Sequence, residues 1–177
     1  MSLTKSSAPV LAAAMLTAQP VQAEALRDCV SEAEVSAMVI YAVPHALRGV
    51  RTRCGANLAA DGFLVTQGEQ LTQRYAAFAD ASWDDALSGL ALMAGTPDVE
   101  GTEDLRLDKM PPEIVRPLVD EMIAQKVSQM VAVPDCGRIE RAVEAFAPLE
   151  PNELGQISAV ILSLTGVKKP KICAVSE

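Results

Sequence analysis

A single histidine, His45, serves the whole chain, and that scarcity excludes any catalytic triad or metal site that needs two imidazoles. No nucleophile neighbours it in sequence, so beside Pro44 it reads as a surface or interhelix residue before it reads as a base. Aromatics are also few, with three Phe, two Tyr and one Trp, which leaves little to stack on bases. A formal net charge of −8 repels phosphate backbones, and the two features together exclude nucleic acid as a partner. There is no C-x-x-C pair and no C-x-x-C-H, which removes the common redox and haem-attachment motifs. Met38, Met93, Met110, Met122 and Met130 are scattered rather than clustered as a copper site requires. No apolar run is long enough to span a bilayer: residues 8–16 and 157–164 both fall short. Alternating strand-like patterns are missing apart from a brief Cys173–Val175, so the chain is expected to be all-α, a single-domain bundle of six or seven short helices.

The beginning of the sequence has the layout of a secretory leader. Lys5 supplies the positive start, Ala8 to Leu16 the apolar run, and Val21-Gln22-Ala23 a small-residue cleavage site, with Pro20 ending any helix just before it. Residues 1–23 are therefore expected to be removed, leaving 24–177 as one periplasmic or secreted helical domain with a core of its own. No cysteine follows the cut where lipidation would need one.

All four cysteines, Cys29, Cys54, Cys136 and Cys173, lie beyond that leader, and an even count in an exported chain reads as two bridges. Three pairings are open. Cys29–Cys54 with Cys136–Cys173 is favoured, because each pair brackets a helix, a proline turn and a second helix. If the first helix ran straight through Pro44, its cysteines would stand about 37 Å apart at ~1.5 Å per residue, beyond the ~7 Å limit for a bridge. The pairing thus requires a hairpin at Val43–Pro44. A zinc site of four thiolates is the competing reading of the same cysteines.

Helix signals recur along the chain. Ser31 and Glu34 have capping-box spacing, as do Thr66 and Glu69, while Ser82 and Asp135 are candidate caps and Pro111-Pro112 a candidate start. Behind them come apolar stripes: Leu71, Tyr75 and Phe78; Trp83, Leu87 and Leu90; Ile139, Ala142, Val143 and Phe146 facing inward; and Leu154, Ile157, Val160, Ile161 and Leu164 lining the last helix. Pro117 is expected to kink its helix or delay its start. Residues 95–110 form an acidic connector with Asp98, Glu100, Glu103, Asp104 and Asp108, whose spacing does not match an EF-hand loop.

Two constellations are candidates for ligand binding. His45, Arg48 and Arg51, with Arg53 nearby, make the one basic cluster of an acidic chain, suited to a carboxylate or phosphate group. Tyr75 and Trp83, on successive helices, could line an apolar pocket. No residue is assigned as catalytic, and no metal or cofactor is expected. The expected role is a binding or interaction module whose partner is an envelope protein or a small apolar or anionic ligand. The alternatives are a carboxylate-dependent hydrolase using Glu69, Asp84, Asp85 or the connector, and a structural component of an envelope assembly.

Overall fold

A computed structural model describes residues 28–94, 110–165 and 171–173. Residues 1–23, expected as a leader, and nearly all of the expected acidic connector fall outside these. Among the described residues the fold is all-α: α1 (Glu32–Cys54), α2 (Phe63–Thr66), α3 (Gly68–Ala79), α4 (Trp83–Ala94), α5 (Pro112–Met130), α6 (Cys136–Phe146) and α7 (Pro151–Leu164). The one strand-like feature there is a bridge between Val30 and Ile172. No helix is long and apolar enough to cross a membrane among the same residues.

The central element is α1. The Ser31 side chain accepts from the Glu34 N–H while Glu34 accepts from the Ser31 N–H, so the expected capping box starts the helix. The hairpin at Pro44 does not form. α1 runs for 23 residues through that proline, with Pro44 itself buried, and packs against α3, α4, α5 and α7. An internal proline costs about 3 kcal/mol through its missing N–H and its clash with the preceding turn. Val35, Ile40, Tyr41, Leu47 and Val50 are buried along both halves of the helix. Each such side chain contributes about 1.5–3 kcal/mol, so burial on both sides of the proline outweighs it.

The disulfide pairing changes with the hairpin. The bridges are Cys29–Cys173 and Cys54–Cys136, not Cys29–Cys54 and Cys136–Cys173. An unbroken α1 holds Cys29 and Cys54 at opposite ends of a rod about 35 Å long, so each must find a partner from elsewhere. α7 runs antiparallel to α1: Leu154 sits near Leu47, Gly155 against Ser36 and Ile40, and Ala159 in a cluster with Val30 and Val35. Its tail therefore returns to the start of α1, where Val30 accepts from Cys173 and donates to Lys171. At the other end α6 delivers Cys136 to Cys54, and the two are 2 % and 0 % exposed. With no free cysteine, the tetrathiolate zinc reading is overturned.

Two further expectations about caps are corrected. Thr66 ends α2 and its hydroxyl donates to the Gly62 carbonyl, so α3 starts without a capping side chain. The Ser82 hydroxyl donates back to Phe78. Pro112 does open α5, and Pro117 sits early enough in it that the bond it forfeits belongs to the first turns.

Candidate functional site

α5 lies along α1 in the same direction, and their seam holds a polar cluster built from one residue pair on each helix. Tyr41 and His45 are four apart on α1, as are Arg116 and Asp120 on α5, so each pair projects from one face. The Tyr41 hydroxyl donates to Oδ1 of Asp120, and Nε2 of His45 stands 3.2 Å from the same oxygen. The Tyr41 ring contacts those of Trp83 and His45, with centroids 4.9 and 5.2 Å away. Arg116 covers both Tyr41 and Trp83 and pairs with Asp80. Burial and then the Asp120 carboxylate push the Tyr41 phenol well above its usual range, so it remains a donor at physiological pH.

His45 is pulled two ways. Asp120 favours its charged form, but burial comes first, and Arg48 and Arg116 add to it, so its pKa falls below the ordinary 6.5. The imidazole is neutral at pH 7. A depressed folded-state value means that the unfolded chain binds the extra proton more readily. The stability tied to neutral His45 is thus fully present above pH 6.5 and is lost as pH falls from there towards the folded-state value. Urea unfolding between pH 7.5 and 5 is expected to show the midpoint falling through this window. His45→Gln is expected to flatten the fall, and an unchanged slope in that variant would refute the assignment. Glu69, lowered first by the hydrogen bond from Arg51, titrates below the window.

Of the residues nominated as an anion clamp, the structure keeps Arg48 and Arg51 at one cleft and turns His45 away from it. Arg48 donates to the Asp120 carbonyl at 2.9 Å and lies 3.3 Å from Glu121. Arg51 is 2.5 Å from Glu69, and Arg53 donates to the Val131 carbonyl. Arg48 and Arg51 border one open cleft with Leu58 and Leu64, but both guanidinium groups already face carboxylates of this chain. His45 is turned to α5. An incoming anion in that cleft would have to displace Glu121 or Glu69.

Tyr75 and Trp83 are also separated, because they belong to different clusters of the core. Trp83 packs with Tyr41 under Arg116. Tyr75 instead walls a cavity of about 200 Å³ between four helices. α1 contributes Val43, Ala46, Leu47 and Val50, α3 contributes Leu71 and Tyr75, the α6 end contributes Val143, Phe146 and Ala147, and α7 contributes Leu154. Its lining is apolar almost throughout. Phe146, expected to face fully inward, lies at this cavity but is 53 % exposed, which places it at the mouth. Arg74 of α3 donates to the Ala147 and Leu149 carbonyls and so fixes the end of α6 that forms one side. The Cys54–Cys136 bridge secures the other end of the same helix to α1.

Among the described residues, Glu69, Asp84 and Asp85 are not brought together as an acid-base pair, and the connector carboxylates lie outside those residues. Glu69 is engaged by Arg51 and Gln73, and Asp84 and Asp85 are exposed in the first turn of α4. No group of three or more His, Cys, Asp or Glu side chains among the described residues is placed to hold a metal ion. Sequence reasoning missed Tyr41, Arg116 and Asp120. The four-residue spacings were legible, but nothing local showed that α1 and α5 lie side by side. Compared with known proteins, the chain matches no family model, no curated protein and no solved structure.

Proposed function

We propose that the protein is an exported, disulfide-locked helical binding module that takes an apolar group into the cavity between α1, α3, α6 and α7. The observation that carries this reading is the apolar lining of that cavity, with Phe146 at its mouth. A void of about 150 Å³ lined by similar side chains is known to stay dry and to bind benzene, so this volume suits a small aromatic ring or a short alkyl segment. The leader-like segment at residues 1–23 and the formation of both bridges support export to the periplasm or beyond. Pairing of Arg48 and Arg51 with this chain's own carboxylates speaks for an apolar ligand over an anionic one.

The test uses benzene and hexanoate as probes on the oxidised chain. A ligand that binds only the folded state stabilises it by RT ln(1 + [L]/Kd), so a rise in Tm that grows with the logarithm of probe concentration above Kd is expected. Val143→Phe fills the cavity and is expected to abolish the rise while leaving the helical circular dichroism intact. Absence of any rise with either probe, or an equal rise in the filled variant, would overturn the proposal.

A further inference from the structure

Two kinds of side chain leave α3 side by side. Leu71 and Tyr75, four apart, wall the apolar cavity, whereas Gln67, Gln70 and Arg74 border a polar cleft of about 780 Å³ beside it, with Glu144 and Pro148 across from them. The two spaces adjoin, since Leu71 and Ala147 line both. Arg74 stands at their border, its guanidinium carbon 5.8 Å from the centre of the Tyr75 ring. Its Nη2 donates to the carbonyls of Ala147 and Leu149, but Nε is enclosed and has no partner. Buried N–H groups are nearly always paired, and an arginine has five to place, so this one is under-used. Arg48, Arg51, Arg116 and Arg138 each face a carboxylate of this chain; among the described residues none pairs with Arg74.

We infer that the apolar group taken into the cavity is the tail of a small monocarboxylate, whose head lies in the adjoining cleft against Arg74. The inference rests on the cavity reading and names the class of ligand for it. A guanidinium fork suits the two oxygens of a carboxylate, and a slight outward turn of the side chain brings Nε–H to one of them. Gln67 and Gln70 border the same cleft with neutral amide donors. Glu144, exposed on the facing wall, opposes a second negative charge and so favours a carboxylate over a phosphate. Neither half of the ligand suffices alone. A formal net charge of −8 repels a bare anion at long range, and a neutral apolar molecule leaves the cation unpaired. One molecule carrying both parts meets both compartments.

Titration calorimetry of the oxidised chain with hexanoate, hexan-1-ol and hexyl phosphate, which share a tail and differ in the head, tests it. Hexanoate is expected to bind about tenfold more tightly than hexan-1-ol, with hexyl phosphate weaker than hexanoate. Arg74→Met keeps an apolar stem and removes the fork, and is expected to bring hexanoate and hexan-1-ol within about twofold of each other. That ratio is the readout because a substitution that merely loosened the end of α6 would weaken both ligands alike. Equal affinities in the parent, which need no variant to measure, would overturn the inference, as would a tenfold preference that persists in Arg74→Met; either result leaves the cavity reading standing. Tighter binding of hexyl phosphate would overturn the carboxylate assignment. Binding of none of the three would overturn the cavity reading and this inference together.

Discussion

The Cys54→Ala/Cys136→Ala double variant is expected to be about 4 kcal/mol less stable than the parent, read from urea unfolding under non-reducing conditions. The bridge closes a loop of 82 residues. Opening it returns to the unfolded chain an entropy worth about 4.5 kcal/mol on the chain-closure model. Both sulfurs are enclosed by the core cluster of Leu47, Val50, Leu64, Leu71 and Tyr75, so their removal leaves a void as well. The Cys29–Cys173 bridge spans 144 residues, and the same model assigns it slightly more, about 5 kcal/mol. Its loss is nevertheless expected to cost less, about 2 kcal/mol. Once released, the tail at Lys171–Cys173 is held by three short-range interactions with Asp28 and Val30 and can fray, so the folded state regains part of the entropy that the unfolded state does. α7 stays docked through Gly155 and Ala159. Equal losses for the two double variants, or the reverse order, would show that the buried bridge is not the one that fixes the cavity wall.

Gly49→Ala is the second large effect, and its sign runs against helix propensity. In an open helix the change should stabilise by about 1 kcal/mol. At Gly49, where α1 crosses α5, an added methyl would collide with the Ala124 carbonyl oxygen and lie 3.1 Å from Cβ of Val127. The obstacle is backbone, which cannot rotate away. The helices must separate, disturbing the Tyr41–Asp120 contact further along the same seam, and a net loss of about 2–3 kcal/mol is expected. Gly155→Ala is the control. Its obstacles are the Ser36 hydroxyl and the end of Ile40, both side chains, so relief there offsets the crowding and the change should fall within about 1 kcal/mol of neutral. Thermal unfolding of the two variants side by side decides this. A stabilised Gly49→Ala would mean that the α1–α5 approach is looser than the structure has it.

The helical class and several starts were legible because they are local. Ser31 with Glu34 and Pro111-Pro112 act within one turn, and the side chains concerned sit where their spacing placed them. What sequence misjudged was decided at long range. Pro44 was read as a turn on the strength of its own backbone chemistry, and the cysteine pairing followed from that reading. The buried residues on either side of Pro44 pack against four different helices, and no local window contains that information. Ile157, Val160, Ile161 and Leu164 present the same difficulty: periodicity marks an apolar stripe but not which way it faces, and the small residues Gly155 and Ala159 took the inner side because they allow α1 to come close. The candidate site was half visible. Tyr75 lines a cavity and His45 lies between helices, whereas Trp83, Arg48 and Arg51 are committed to partners elsewhere.

The two bridges are nested, one inside the other, and both join a residue before the acidic connector to a residue after it. A protease that severs residues 95–109 once therefore yields two fragments that remain doubly crosslinked and cannot drift apart. The protein keeps its covalent integrity through such a nick for as long as its surroundings stay oxidising, a form of durability suited to a compartment rich in peptidases.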